Sequence, residues 1–354
     1  MRSFVLIGTG WRARYFLRLT AGLPGIECVG VVSRRASPEL AAELGVPAWP
    51  SLAAALEGGP RPEFAVVAVT WEANPGVVRE VVAAGLPVLC ETPPAPDLGG
   101  LRELWDDLGG SELVQVAEQY LLVPAHAARA TVLASGAIGD VTQVQVSSTH
   151  QYHAVALMRG LLGVGFGPVT VRATRTSAPL VDPLTRDGWT GDDVPHAAST
   201  THAVLDFGDD RSGVYDFTDN QWHNQLRFRR ILARGTRGEL MDDAVVRLLE
   251  PRTIVTTPIV RRQTGYDLDL DGFESDHITF GDLVAWRNPY LGNRWNDEDI
   301  AMSSILAATA AWATGDADPP YPLRQACQDH AVALAIEEAA DTDRTVTTAV
   351  EPWA

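Results

Sequence analysis

Short, continuous apolar runs alternate with helical patterns through the first third of the chain. The runs at residues 4–7, 27–32, 64–69, 86–90 and 113–116 are rich in Val, Leu and Ile, as strands buried on both faces are. Between them, 11–23, 38–44, 51–56, 75–84 and 99–108 carry helical spacing, and a short 47–49 segment adds another extended stretch. Strand and helix alternating at this pace predict a parallel, doubly wound sheet with right-handed crossovers. After about residue 121 the pattern changes. A helical stretch at 124–135 closes on Gly136-Ala137-Ile138-Gly139, and β-like runs then dominate at 141–148, 169–176, 200–207, 213–218, 226–233 and 244–249. Several alternate polar with apolar, as sheets with one covered face do. Gly208-Asp209-Asp210 reads as a hairpin turn between two of them. Helical spacing returns at 297–314 and 322–340. The expected fold is α/β: a dinucleotide-binding Rossmann domain over 1–121, then an α+β domain over 122–354 with a large, mostly antiparallel open sheet. The last helices are free to pack back on the first domain. An outer sheet face rich in Val, Leu and Phe predicts a homodimer or homotetramer.

The first strand ends in Gly8-Thr9-Gly10, and a helical pattern opening on Trp11 and Arg12 follows at once. Glycines there allow a tight turn and close approach of a pyrophosphate, which the helix N-terminus then attracts. Ala13 takes the third small position of the fingerprint and permits close helix–strand packing. The second strand ends in Ser33-Arg34-Arg35, where NAD sites favour an acid for the ribose hydroxyls. A hydroxyl beside guanidinium groups suits a 2′-phosphate instead, so NADP is the expected cofactor, with NAD the other option. Thr70 and Trp71, beyond the 64–69 run, are expected to line the same site.

Composition narrows the partners. A chain of 354 residues with a formal net charge of −17 repels phosphate backbones and anionic lipid, which argues against nucleic acid and membranes. No leader-like stretch is evident, and three scattered cysteines fit a reducing compartment, so a cytoplasmic location is expected. His202 and His277 lack ligand-like spacing to Cys or carboxylates, and no metal site is expected. All 28 basic residues are arginine.

Further motifs follow in order. They are Glu91-Thr92-Pro93, Ala117-Glu118-Gln119-Tyr120 with Pro124, Gly136 to Val141, and His153 with Leu157, Arg159 and Leu161-Leu162-Gly163. Later come Gly235-Thr236-Arg237-Gly238-Glu239, Asn296-Asp297-Glu298-Asp299-Ile300-Ala301, and Tyr321-Pro322-Leu323. With the glycine turn, these resemble the Gfo/Idh/MocA oxidoreductases over nearly the whole length. The resemblance implies a nicotinamide-dependent oxidoreductase of sugar metabolism, acting on a sugar, cyclitol or related small polar carbonyl or alcohol. It also implies that His153 faces the nicotinamide.

The departures bear on mechanism. The family usually has lysine after the glutamate, as the proton donor or acceptor; here Thr92 follows Glu91, and the chain contains no lysine to replace it. The aspartate often found four residues before the histidine is Thr149. Oxidising an alcohol leaves a hydroxyl proton that a positioned base must take. His153 is the leading candidate, because imidazole titrates near neutrality. Thr92, Glu91, Tyr152 and Tyr120 are the secondary catalytic candidates, and Glu91 is also expected at the cofactor. His150, Trp222 and His223 are candidate substrate contacts, through stacking on a sugar face and hydrogen bonds to hydroxyls. The Asp182–His196 stretch reads either as a lid or as a solvated loop. Two classes of function stay open: hydride transfer, including reduction of an imine that arrives protonated, and a non-redox eliminase, hydrolase or silent binding subunit on the same fold.

Overall fold

The computed structural model describes residues 1–265, 267 and 269–354. Its first sheet comprises β1 (Arg2–Ile7), β2 (Ile26–Val32), β3 (Ala48–Trp49), β4 (Phe64–Val67), β5 (Val88–Cys90) and β6 (Val114–Val116). They run parallel in the order β3-β2-β1-β4-β5-β6. The chain builds outward from β1 to one edge, then returns through β4 to the other, so a crevice opens at the carboxyl ends of β1 and β4.

Alternate residues of these strands feed two cores. Phe4, Leu6, Val31, Phe64 and Val66 pack with Phe16 and Leu19 of α1 (Trp11–Thr20). The same core takes in Ile300, Ile305 and Leu306 of α8 (Asp297–Ala313), so a helix from late in the chain fills one face of the first sheet. Val5, Ile7, Ala65 and Val67 face the other way, onto α4 (Asn74–Ala83) and α5 (Leu98–Leu108). Local sequence sets several helix starts. Ser37 and Ser51 cap α2 (Pro38–Leu44) and α3 (Leu52–Gly58), and Asp97 caps α5, each accepting from the N–H three residues on. In contrast, α1 begins on Gly10 with no side-chain cap.

The second sheet has eleven strands. It comprises β7 (Val141–Ser147), β8 (Thr170–Leu180), β11 (His196–Gly208), β12 (Arg211–Thr218) and β13 (Arg230–Gly235), then β14 (Gly238–Met241), β15 (Ala244–Glu250), β16 (Thr253–Thr264), β17 (Glu274–Phe280), β18 (Leu283–Arg287) and β19 (Val346–Thr347). All pairings are antiparallel except β12 with β7. A separate small hairpin is formed by β9 (Leu184–Thr185) and β10 (Gly188–Trp189). Val144, Val146, Leu205, Tyr215, Phe217 and Ile231 point inward, into the core that also holds Val155, Met158 and Ile336. Those last residues belong to α7 (Gln151–Leu162) and α9 (Leu323–Thr342). Helix α6 (Pro124–Ala134) lies beside them.

The sheet departs from expectation in three places. The strand anticipated over 226–233 starts at Arg230, because 226–229 form an exposed turn in which the Leu226 N–H donates to Asn224 Oδ1 at 2.9 Å. Strands β16 to β18 continue the sheet where no strand was expected, with Pro258 opposite Ala244. The outer face is mixed rather than rich in Val, Leu and Phe. Val204, Val214, Leu232 and Val246 lie among Arg172, Thr174, Gln145 and His202, with Arg230–Asp216 (2.9 Å) and Arg234–Glu239 (2.8 Å) ion pairs across strands.

Candidate active site

A cavity of about 1070 Å³ occupies the crevice at the ends of β1 and β4. It is lined by Gly8, Thr9, Gly10, Trp11, Arg12, Ser33, Arg34, Thr70, Trp71, Glu91 and Thr92, which brings together nearly all the expected cofactor residues. Ala13 is buried below it, packing α1 onto the sheet. Gly8 is a steric requirement here. Its φ is +120°, and a Cβ would sit 2.2 Å from the carbonyl oxygen of Ala68. The uncapped start of α1 leaves its first N–H groups directed at the cavity, where a phosphate can accept from them. Close backbone approach, free amides and a cavity of this size fit a dinucleotide.

The second-strand residues sit at one end of the cavity. Ser33 Oγ accepts from the Arg35 N–H at 3.2 Å, and the Arg35 guanidinium reaches Thr9 Oγ1 at 3.5 Å. Arg34 lines the cavity and makes no ion pair with any described residue.

At the other end, Glu91 and Thr92 follow β5. Glu91 is in contact with Arg12 (Nε to Oε1, 3.4 Å), and Arg12 continues to Glu298 of α8 at 3.1 Å. Burial raises the Glu91 carboxyl above its ordinary range, against the lowering pull of Arg12 and His153. Glu91 Oε1 is buried without a hydrogen bond.

His153 lies on the first turn of α7. That helix opens with Gln151 at φ 27°, its N–H held by the Tyr215 hydroxyl at 3.1 Å. The His153 ring packs 4.5 Å from Tyr120 and 5.2 Å from His150, and its Nδ1 lies 2.6 Å from Glu118 Oε2. Glu118 is fully buried, and its other oxygen accepts from the Tyr120 N–H at 2.9 Å. A carboxylate only accepts, so it holds hydrogen on Nδ1 and leaves Nε2 as the working nitrogen. The motif containing Glu118 was evident in the sequence, but its role was not. The available signal was an acid placed just past the end of an apolar strand, where sites of doubly wound sheets form.

The remaining candidates divide. Tyr120 is partly buried, and desolvation pushes its phenol up to about 12 and keeps it protonated as a donor. His150 packs 4.9 Å from Trp222, and burial with neighbouring His153 pushes it down to about 4, so it is neutral at pH 7. Tyr152 is buried and does not line the crevice cavity; its neighbours are Glu118, Tyr321, Asp329 and Cys90, and its ring lies 5.3 Å from His153. His223 is also pushed down, by burial and by Arg186.

Trp222 and Tyr120 line a second cavity of about 340 Å³, together with Ser148, His126, Arg129, Arg229, Arg261 and Glu298. The hairpin of β9 and β10 reaches across to the first cavity. Its Arg186 guanidinium lies 4.7 Å from the Trp11 ring, and Asn220 anchors it through Asp182 (2.7 Å) and the Leu184 carbonyl (2.9 Å). Asp192 and His196 pair with each other at 2.7 Å on the exposed side. Among the described residues, no group of three or more His, Cys, Asp or Glu is arranged to hold a metal, and no helix is long and apolar enough to cross a membrane.

Fold and site together define an oxidoreductase built on a dinucleotide-binding sheet and a large open sheet. Residues 2–117 match the Gfo/Idh/MocA model, described as an oxidoreductase family with an NAD-binding Rossmann fold. No curated protein sequence matches it. Solved structures share its fold. An oxidoreductase from Agrobacterium radiobacter, in complex with NAD+, L-tartaric acid and magnesium, is 17% identical with a TM-score of 0.68, covering 98% of each chain. A myo-inositol dehydrogenase from Corynebacterium glutamicum is 17% identical with a TM-score of 0.66, again covering 98% of each. A levoglucosan dehydrogenase, in complex with NADH and levoglucosan, is 17% identical with a TM-score of 0.67, covering 98% of this chain and 99% of that one.

Proposed function

We propose that this chain transfers a hydride between a nicotinamide cofactor and a sugar, cyclitol or related small polar alcohol or carbonyl, with His153 as its acid/base group. In this reading residues 1–121 bind the cofactor and 122–354 carry the substrate side of the site. The observation that carries it is the Glu118–His153 pair at 2.6 Å, whose imidazole acts electrostatically on Glu91 at the end of the nucleotide cavity. A bound nicotinamide supplies the hydride acceptor or donor. His153 Nε2 takes the hydroxyl proton in oxidation and returns it in reduction, which supplies the group the missing lysine would otherwise be. Tyr120 donates a hydrogen bond to a substrate oxygen, and Thr92 orients without transferring a proton. Glu91 holds Arg12 at the cavity wall. The test is to add candidate sugars, cyclitols and imines with each nucleotide and follow reduced-cofactor absorbance. No change with any of them favours a non-redox role on this fold.

For the cofactor, Arg34 without an ion pair and Arg35 at Thr9 support NADP. Tighter binding of NADPH than NADH is expected. Arg34→Ala should weaken NADPH alone, by roughly 10- to 100-fold for one lost charged contact. Superimposable titrations of the two nucleotides would remove this assignment. A homodimer or homotetramer formed sheet against sheet would use the mixed outer face of the second sheet. Its hydrophobic positions are fewer than a dry interface needs, so the cross-strand ion pairs would lie within the contact. Light scattering should give two or four times the 38.1 kDa of one chain. A monomer mass at micromolar concentration removes it.

A further inference from the structure

The cavity of about 340 Å³ beside Tyr120 and Trp222 is the size of a monosaccharide, and its charges are unevenly satisfied. Arg261 forms a two-pronged pair with Asp297 (2.6 and 2.7 Å). Arg129 pairs with Asp243 at 3.0 Å and donates to the Asp242 carbonyl at 2.8 Å. The Asp242 carboxylate accepts from the Ile231 N–H at 2.8 Å, and Glu298 is taken by Arg12 at 3.1 Å. Arg229 alone among the lining cations has no hydrogen bond or ion pair with a described residue.

Its backbone is nevertheless fixed. Buried Gln221 donates from Nε2 to the Phe228 carbonyl (2.8 Å) and to the Ser147 carbonyl (2.9 Å). That amide ties the turn bearing Arg229 to the end of β7, next to Ser148. Ser148 lines the cavity, and its Oγ is buried with no hydrogen-bond partner among the described residues. The wall carries three guanidinium groups, of Arg129, Arg229 and Arg261, and three carboxylates, of Asp242, Asp297 and Glu298. Burial and the guanidinium groups of Arg129, Arg229 and Arg261 push buried His126 down to about 3.

The cavity connects to the proton-transfer group through Tyr120, which packs 4.5 Å from His153. Trp222 packs 4.9 Å from His150, which lies 5.2 Å from His153. A ligand with its reacting carbon at His153 would lie beside Tyr120, which lines the same cavity as Trp222 and Arg229. We propose that the substrate is a polyhydroxy carboxylate of monosaccharide size, with its carboxylate bound by Arg229 and a hydroxyl bound by Ser148. A single unpaired guanidinium suits one carboxylate, bound through two parallel N–H donors.

This rests on the oxidoreductase reading for the place of the reacting carbon, but its test separates the two. Binding of D-glucuronate, D-galacturonate, D-gluconate and L-tartrate would be measured by calorimetry against glucose, galactose, glucitol and erythritol. Wild type, Arg229→Gln and Arg229→Lys would be compared, and reduced-cofactor absorbance would be followed in parallel. At least one acid is expected to bind roughly tenfold or more tightly than its neutral counterpart. Arg229→Gln should erase that difference and Arg229→Lys restore part of it. Nucleotide affinity should be unchanged in both variants. Carboxylate binding that depends on Arg229 without any redox change supports the subsite and overturns the oxidoreductase reading. The absence of any Arg229-dependent carboxylate binding overturns the subsite.

Discussion

Replacing His153 with alanine should lower turnover by roughly 10²–10⁴ while leaving nucleotide affinity nearly unchanged, the range for losing a general acid/base. The chain contains no lysine, and Thr92, which follows Glu91, carries a hydroxyl that does not titrate at neutral pH. Its nearby tyrosines are unsuited to the task, since desolvation pushes the Tyr120 phenol up to about 12 and holds Tyr152 well above the ordinary phenol range. His150 is pushed down to about 4 and cannot return a proton effectively at neutral pH. This leaves His153 with its carboxylate partner. Glu118→Gln adds a control on positioning. The amide keeps the size of the side chain but presents either N–H or C=O to Nδ1, so the imidazole loses its fixed tautomer. A smaller drop in turnover, with a shifted pH–rate profile and unchanged nucleotide binding, is the expected signature. Thr92→Ala should cost much less than His153→Ala. Thr92→Lys supplies the lysine that the resemblance implies after Glu91 and should raise alcohol oxidation. Full activity in His153→Ala would place the proton donor elsewhere or on the substrate itself.

Much of the first domain is legible in the sequence because its signals are local. Apolar runs, serine and aspartate caps and the glycine turn each act within a few residues, and the strands and helices fall close to where those signals predict. Helix α7 carries no comparable signal. Residues 154–158 are all buried, so the segment is apolar on every side and lacks an amphipathic period. Strands β16 to β18 were hidden for a different reason: Pro258 and the charged pair Arg261-Arg262 interrupt the run, and only pairing with distant segments makes a ladder of it. The site shows the same division. Residues contributed by one turn, such as Gly8, Thr9, Gly10 and Ser33-Arg34, are readable in order along the chain. The Glu118–His153 pair joins residues 35 apart, Arg12–Glu298 joins residues 286 apart, and Arg229 gains its meaning from which neighbouring cations are already paired. Periodicity and spacing do not encode those relations.

Asp329→Ala should destabilise the protein by about 3–5 kcal/mol, through the charge it leaves behind. Asp329 is fully buried on α9 and pairs with Arg159 of α7, itself only 4% exposed. Arg159 also donates to the carbonyls of Gly165 (3.0 Å) and Gln325 (3.4 Å) and to Gln325 Oε1 (3.0 Å), while the Tyr321 hydroxyl donates to Asp329. Those neutral acceptors remain when Asp329 is removed, but the guanidinium then sits in a low-dielectric interior without a counter-ion. Water cannot easily replace the carboxylate, because Phe166 lies 5.2 Å from the Arg159 guanidinium and the helices close around it. Replacing both partners, as Arg159→Met with Asp329→Leu, removes the stranded charge and should recover most of the loss. Urea unfolding followed by circular dichroism measures both. The double variant also tests a functional link, since α7 carries His153: if the pair only stabilises, the double variant should unfold near wild type and turn over normally. If the pair also sets the register of α7, stability should return while turnover stays low. A loss below about 1 kcal/mol in Asp329→Ala would mean that Arg159 is adequately compensated by its carbonyl partners, and the buried charge would then not be the tie between the two helices.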